Sequence, residues 1–272
     1  VFGNLASALP VIVEGARGAS FADLFVMKKS HSFIALGAGV MIALSGGVLL
    51  ANWRSAEAAA GGVHFARPSY DAARAGATID LQKYGALGDV KRLAGLSKNL
   101  GACHDALAAA GVDFTIVPAE HDGACGYDEA VVVDASLSAW KAPDAMPMTC
   151  DLAAKLHLWE RHIVIPAAEK YLGSPVKEIK AFGSFQCRRA AGHDRLSEHA
   201  FAKAADIAGF ILEDGREISV LKDFRNKGAK GDFLRAVHDR ACGLFDVTLG
   251  PDYNADHANH FHLDVGGQYS CR

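Results

Sequence analysis

The spacing of apolar residues predicts both helices and strands in the C-terminal part of the chain. A helix is predicted from four apolar residues at helical spacing, Leu152, Leu156, Trp159 and Ile163. It is expected to end at Pro166, because proline removes a helical hydrogen bond. Apolar runs predict strands at 176–182, 206–212 and 218–221, with a hairpin turn at 213–216. A second helix is predicted with Asp232 as its cap and a buried face of Phe233, Val237, Ala241 and Leu244.

These elements indicate one folded domain at residues 99–272 with an α+β fold. Helices and strands follow one another without the regular alternation that builds a parallel sheet. We therefore expect an antiparallel sheet with flanking helices. The sequence contains no internal repeat.

The last predicted strand carries a polar face rich in histidine. Residues 260–264 read His-Phe-His-Leu-Asp, and side chains alternate between the two faces of a strand. Phe261 and Leu263 are therefore expected in the core, while His260, His262 and Asp264 share the opposite face. Asp264 is positioned to orient an imidazole that binds a metal.

A second polar group precedes the strand predicted at 206–212. His199 lies on the turn before it, and Asp206 opens it. With a histidine of the last strand, these residues supply nitrogen and oxygen ligands for one metal ion. Three protein ligands with an open fourth position are typical of catalytic zinc, whereas structural zinc has four protein ligands. The pattern predicts metal-assisted hydrolysis.

The run around His199 resembles the zinc peptidase superfamily of lysostaphin, D-Ala-D-Ala peptidases and hedgehog domains. That superfamily carries Ser-x-His-x-x-Gly-x-Ala-x-Asp, of which Ser197, His199, Ala204 and Asp206 match while Ala202 replaces glycine. The surrounding sequence resembles the bacterial extensin-like C-terminal domain family over roughly residues 100–272. The stretches that carry this resemblance are 183–188 (GSFQCR), 196–200 (LSEHA) and 249–254 (LGPDYN).

The resemblance implies a hedgehog/D-Ala-D-Ala peptidase-like fold and a role for each residue that matches. The implied zinc ligands are His199, Asp206 and His262. His260 is implied as the general base, with His257 as a helper near the substrate or the water. Arg188 is implied to steady the oxyanion, and Ser197 and Ser184 are expected to contact substrate. The other histidines are interpreted as satisfied core residues without a role in the chemistry: His31, His64, His104, His121, His157, His162, His193 and His238.

The implied activity is hydrolysis of peptidoglycan stem peptides. The His-x-x-His-x-His order at 257–262 resembles penicillin-insensitive murein endopeptidases, which favours cleavage of cross-links. A D,D- or L,D-carboxypeptidase is the alternative, although no Glu lies between Asp246 and Arg272 to act as its base. A non-catalytic, zinc-stabilised wall-binding module is a further alternative from another functional class.

The N-terminal part predicts export. Residues 33–51 are uncharged and long enough to cross a bilayer. Lys28 and Lys29 favour a cytoplasmic segment 1–32, of which 1–26 are expected to be untranslated, with the start at Met27. We expect residues 33–51 to anchor the chain in the inner membrane, the alternative being a signal peptide cleaved near residues 56–58. Residues 52–98 are predicted as a tether to a periplasmic domain.

Charge and cysteine content narrow the partners and the compartment. A net charge of −3 provides no basic surface, so nucleic-acid binding is not expected. The six cysteines contain no Cys-x-x-Cys pair, and after an export signal they predict three disulfides in an oxidising compartment. The pairing is open among fifteen connectivities, of which a local Cys103–Cys125 bond is the expectation.

Overall fold

Strands from most of the chain join in one sheet in the computed structural model, which describes residues 63–65, 79–82, 93 and 96–272. Within these residues the sheet has eleven strands. Their bounds are β1 Val63–Phe65, β2 Asp113–Asp122, β3 Cys125–Ala135, β4 Ala139–Lys141, β5 Pro147–Met148, β6 Val176–Gly183, β7 Ala204–Leu212, β8 Glu217–Ser219, β9 Val247–Leu249, β10 Phe261–Asp264 and β11 Ser270–Cys271. The α+β class is confirmed.

The sheet is mixed, so the expectation of a purely antiparallel sheet was wrong. Its order is β1-β2-β3-β4-β6-β7-β10-β9-β11, with β5 beside β3 and β8 beside β7. The pairs β4–β6 and β9–β11 are parallel. A parallel pair needs a long crossover connection, and a helical segment between β4 and β6 provides it.

That crossover is a continuous run of helix. The α-helices of the described residues are α1 Leu100–Ala109, α2 Cys150–Trp159, α3 Ile165–Leu172, α4 Val220–Asp223 and α5 Ala229–Ala241. A π-helical turn at Glu160–Val164 joins α2 to α3. The predicted stop at Pro166 was wrong, because the chain stays helical through Pro166. The π-helical turn directly before it already interrupts the regular α-helical hydrogen bonds, so the missing N–H of proline is tolerated there.

Aromatic packing joins the helices to the centre of the sheet. Phe210 of β7 contacts Trp159 of α2 and Phe233 of α5, with ring centroids 6.0 and 5.1 Å apart. The Trp159 indole N–H also donates to the Val237 carbonyl at 3.0 Å. Helix α5 begins at Ala229 after Gly228, so the predicted cap, Asp232, instead lies inside the first turn. Burial of these rings fixes β7, the strand that carries Asp206.

The strand predicted at 218–221 is shorter than expected. β8 ends at Ser219 and α4 starts at Val220. The Asp223 carboxylate accepts a hydrogen bond from the Ser219 N–H at 2.8 Å, which satisfies a free donor at the helix start. The predictions for β6 and β7 are confirmed to within two residues.

Three disulfides are present, as predicted, but the expected Cys103–Cys125 pair was wrong. The bonds are Cys103–Cys150, Cys125–Cys187 and Cys242–Cys271. Cys103 on α1 faces the start of α2. Strand β2 has ten residues and carries the chain roughly 30 Å away before Cys125 begins β3.

The core includes residues that precede the predicted domain start at residue 99. Strand β1 pairs with β2, and Leu81, Leu93 and Leu96 are buried. The predicted cytoplasmic segment, span 33–51, start at Met27 and cleavage near 56–58 lie outside the described residues, as does most of the segment predicted as a tether. In the described part of the chain, no helix is long and apolar enough to cross a bilayer.

Candidate metal centre and cleft

Two adjacent strands and one short helix bring His199, Asp206 and His262 together. Asp206 on β7 is the direct cross-strand partner of His262 on β10, so the two side chains lie side by side. His199 comes from the 3₁₀ helix Glu198–Phe201, just before β7. The atoms His199 Nε2, Asp206 Oδ1 and His262 Nδ1 form a triangle with each side 3.1 Å long.

The turn around His199 is built by local sequence. Ser197 begins the 3₁₀ helix, and its hydroxyl oxygen accepts a bond from the His199 N–H at 3.4 Å. Ala202 ends the helix with φ of 55°, a left-handed conformation that favours glycine. This geometry explains why the related pattern has glycine at this position. The Lys203 N–H then bonds the Glu198 carbonyl at 3.0 Å and closes the turn.

Both histidines of the triangle are held from behind. The other ring nitrogen of His199, Nδ1, lies 2.5 Å from the Ser184 carbonyl, which can only accept. The His262 Nε2 lies 3.1 Å from the Asp264 carboxylate, the contact expected from the sequence. Donation from these two nitrogens leaves the lone pairs of His199 Nε2 and His262 Nδ1 directed at the triangle.

Burial and charge at the triangle favour a cation. His199 and His262 are buried, and Asp206 is nearly so. Burial opposes ionisation of Asp206, but hydrogen bonds from His199 and His262 hold the pKa of its carboxyl well below the usual range. Burial likewise opposes the charge on His262, yet bonds to Asp206 and Asp264 raise its pKa to about 9. A proton thus occupies the triangle in the metal-free chain.

The donor set fits a small divalent ion. These three residues form the one group of metal-binding type found among the described residues. A tetrahedral zinc with bonds of about 2.0–2.1 Å places its ligand atoms about 3.3–3.4 Å apart, close to the 3.1 Å sides observed here. Two imidazoles and one carboxylate also match the ligand types of catalytic zinc. The triangle therefore has the donor atoms and the size that could hold a small divalent metal ion.

Two further histidines lie on one side of the triangle. His260 precedes β10, and its Nε2 is 3.4 Å from Asp206 Oδ1 while its Nδ1 is 2.8 Å from the Asn259 side-chain oxygen. Burial lowers the pKa of His260, with Asp206 acting in the opposite direction. The ring of His257 lies 5.1 Å from that of His260. Burial and the nearby His260 lower the pKa of His257 to about 4, so it is neutral at pH 7.

Arg188 lies near the second carboxylate oxygen of Asp206. Its guanidinium nitrogen is 3.9 Å from Asp206 Oδ2, too long for a hydrogen bond but close enough for charge attraction. Its Nε donates to the Gln186 side-chain oxygen at 2.7 Å. The arginine side chain is 38% exposed, so it can contact a ligand. His260 and Arg188 thus flank the triangle.

The two serines predicted to bind substrate have different places. Ser197 lines the cleft beside the triangle. Ser184 is buried, and its hydroxyl donates to the Ala204 carbonyl at 2.6 Å. Since its own carbonyl accepts from His199, Ser184 supports the His199 ring from behind rather than lining the cleft.

An open cleft of about 120 Å³ leads to the triangle. Both signs of charge are present on its walls. Its lining residues are Arg188, Ala190, Ala191, His193, Arg195, Ser197, Glu198, Val247, Leu249, Tyr253, Asn254, Asp256, His257, His260, His262 and Asp264. A polar ligand in the cleft therefore has access to the predicted site residues that line it. The predicted site residues that do not line it are Ser184, His199 and Asp206.

Comparison with protein families finds a match to the family described as Extensin-like protein C-terminus, over residues 101–272. This covers more than half of the chain. The chain belongs to the extensin-like C-terminal family. Comparison with curated proteins and with solved structures found no match.

Several residues at the cleft of this extensin-like domain were not singled out from the sequence. Asn254 and Asn259 bond the Nδ1 atoms of His257 and His260. Asn254 ends the LGPDYN stretch and Asn259 directly precedes His260, so position in the sequence was an available signal. No sequence signal pointed to Phe182. A β-bulge between Ala181 and Gly183 leaves Phe182 without a cross-strand partner, and the centroid of its exposed ring lies 5.9 Å from that of His260. The interpretation of His193 as a core residue was wrong, because His193 is exposed and lines the cleft.

Proposed function

We propose that this chain is a zinc-dependent peptidoglycan peptidase, an endopeptidase that hydrolyses cross-links between stem peptides. The observation that carries the proposal is the triangle of His199, Asp206 and His262, open to a cleft and flanked by His260 and Arg188. Placement in the lysostaphin/D-Ala-D-Ala peptidase/hedgehog superfamily, with its fold, is part of the proposal. Its support is the match of Ser197, His199, Ala204 and Asp206 to that pattern.

The metal would be held by His199 Nε2, Asp206 Oδ1 and His262 Nδ1. A zinc ion bound there would supply Lewis acidity for the activation of water and the polarisation of a peptide carbonyl. Asp264 and the Ser184 carbonyl keep the two imidazoles in the tautomers that bind metal.

His260 moves the proton. Its Nδ1 is directed at the Asn259 side-chain oxygen, so Nδ1–H donates there and Nε2 keeps a free lone pair facing the triangle. Because burial lowers the pKa of His260, this imidazole is neutral at pH 7 and accepts a proton from the attacking water. The same Nε2 then returns the proton to the leaving amine.

Arg188 and His257 complete the environment of the reacting carbonyl. The Arg188 guanidinium stabilises the negative charge that develops on the carbonyl oxygen, a contribution that is often the largest in such reactions. His257 stays neutral and packs against His260 and Tyr253. It adds no charge that would compete with Arg188.

The disulfides support the proposed compartment. Every cysteine of the described domain is paired, which is typical of proteins in an oxidising environment. Together with the uncharged segment 33–51, this supports a periplasmic domain, anchored in the inner membrane, that works on the cell wall.

The test is a digest of purified cross-linked muropeptides with the full chain, run with zinc, with chelator, and with His260→Ala and His262→Ala. His121→Ala is the matched control, because His121 is exposed on the hairpin between β2 and β3. We expect loss of dimeric muropeptides that requires zinc, His260 and His262 but not His121.

The other outcomes also discriminate. Intact dimers with shortened monomer stems would identify a D,D- or L,D-carboxypeptidase. No change in any product, from a folded sample that holds zinc, would reject peptidase activity and favour a wall-binding module.

A further inference from the structure

Apart from the charge attraction to Asp206 at 3.9 Å, the hydrogen bonds that orient the Arg188 side chain are local to its own segment. Its Nε bonds Gln186 and a terminal nitrogen lies 3.5 Å from the Arg189 carbonyl. Both partners are within two residues of Arg188, so they move with it. They cannot by themselves fix the guanidinium relative to Asp206 on β7.

The segment that carries Arg188 is a mostly exposed loop between β6 and the 3₁₀ helix Glu198–Phe201. Its stem is closed by three backbone bonds, from the Gln186 N–H to the His199 carbonyl, from the Ser197 N–H to the Arg188 carbonyl and from the Ala190 N–H to the Arg195 carbonyl, each at 3.0 Å. Residues 191–195 beyond the stem are exposed. A stem of three bonds below an exposed loop opens at a lower free-energy cost than a strand ladder of the core, so a covalent restraint beside Arg188 would limit the movement of the arginine.

The restraint is the residue next to Arg188. Cys187 forms a disulfide with Cys125, the buried first residue of β3. Strand β3 pairs with β2 along the length of both strands. Tyr127 of the same strand packs edge-on against Phe185, with ring centroids 5.1 Å apart. The hairpin therefore anchors the chain on the N-terminal side of Arg188 at two points.

The metal-binding triangle is held by other contacts. Asp206 and His262 are fixed by the β7–β10 ladder, and the two imidazoles by the Ser184 carbonyl and Asp264. None of these contacts involves Cys125 or Cys187. Breaking the disulfide is thus expected to release Arg188 and to leave the triangle intact.

We propose that the Cys125–Cys187 disulfide is the positioning element of Arg188, and that turnover, but not metal binding, depends on it. This inference rests on the proposed peptidase function for its kinetic readout. Cys125 and Cys187 are positioning residues, since they act on the reaction only through Arg188.

A double-mutant cycle in the full chain tests the inference. Removal of an oxyanion donor costs about 10²–10³ in kcat, and we expect this range for Arg188→Ala. Cys125→Ala/Cys187→Ala is expected to lower kcat about tenfold or more, with zinc affinity within about twofold of the wild type. In the Arg188→Ala background, removing the disulfide should change kcat by less than about twofold, because the group it positions is gone.

The matched control is Cys103→Ala/Cys150→Ala, which removes the disulfide between α1 and α2. It is expected to lower the unfolding temperature but to leave kcat at 25 °C within about twofold. Equal losses of kcat in the wild-type and Arg188→Ala backgrounds would overturn the inference. A kcat within twofold after loss of Cys125–Cys187 would also overturn it, as would a fall in zinc affinity.

Hydrogen exchange separates failure of the inference from failure of the proposed function. The amides of Ala190 and Ser197, which bond the Arg195 and Arg188 carbonyls, should exchange at least tenfold faster in Cys125→Ala/Cys187→Ala. Amides of the β7–β10 ladder should be unchanged. If the wild type shows no zinc-dependent hydrolysis, the proposed function fails, and unchanged exchange at these two amides would still refute the positioning role.

Discussion

Asp264→Asn is the substitution that tests the metal centre most directly. Asp264 is 4% exposed and uses both oxygens: Oδ2 faces His262 Nε2 at 3.1 Å and Oδ1 accepts from the Gly266 N–H at 3.0 Å. In the asparagine variant the side-chain oxygen still accepts the hydrogen bond from the Gly266 N–H, so the amide NH₂ faces His262. That NH₂ can only donate, which forces the His262 proton onto Nδ1, the nitrogen directed at the metal.

The expected loss follows from this change of tautomer. Replacing a carboxylate behind a metal-bound histidine costs roughly 10–100-fold in metal affinity, which corresponds to about 1.4–2.7 kcal/mol at 25 °C. The substitution is isosteric, so packing around His262 is preserved. We therefore expect a folded protein that binds zinc about 10–100-fold more weakly than the wild type.

Chelator-competition titration of zinc measures this loss, with thermal unfolding as the check on folding. Asp246→Asn is the matched control, because the Asp246 carboxylate accepts from the neighbouring Gly267 N–H at 2.9 Å but does not contact His262. It should keep zinc affinity within about twofold. A folded Asp264→Asn variant with wild-type zinc affinity would refute the assignment of His262 Nδ1 as a ligand.

Three further predictions concern protons and backbone strain. The pKa of His262 is about 9 without metal, so zinc binding at pH 7 should release about one proton. Calorimetry in buffers of different ionisation enthalpy measures the number of protons released. A result of no proton release would contradict the reasoning. Ala202 has a left-handed backbone conformation and is buried. Ala202→Gly should change the free energy of unfolding by less than about 1 kcal/mol, because relief of the backbone strain offsets the loss of the buried methyl contact. Ala202→Val should be clearly destabilised in the same melts. Burial raises the pKa of Glu160, against the lowering influence of the nearby Ser138 and Ser136. Stability should therefore fall as pH rises from about 4.5 through that raised pKa. This decline should be absent in Glu160→Gln, and a parallel pH profile would contradict it.

The sequence was sufficient where the signal is local. The alternation of His260-Phe261-His262-Leu263-Asp264 predicted which side chains share a face, and Phe261 and Leu263 are indeed in the core. The turn that carries His199 just before β7 is also a property of a short stretch. Side-chain alternation and turn chemistry act over a few residues, so they can be read without knowing the fold.

The sequence was insufficient where two distant segments meet. The direct pairing of Asp206 with His262 depends on the register between β7 and β10. The parallel β4–β6 pair depends on a helical crossover that continues through Pro166. Neither is encoded in a local pattern, because sheet register and strand order are decided by packing of the whole core.

The same limit applies to the cysteines and to Arg188. The even cysteine count predicted three disulfides, but only the long β2–β3 hairpin decided that Cys125 meets Cys187. A free chain favours closing the shorter loop, which is why the local Cys103–Cys125 pair was expected. The sequence by itself thus determined the residue types of the candidate metal centre, the turn that carries His199 and the α+β class of the domain. The tertiary structure alone decided which cysteines pair, which strand lies beside which, and where Arg188 is held, because long-range contacts in the folded core outweigh the entropy that favours near neighbours.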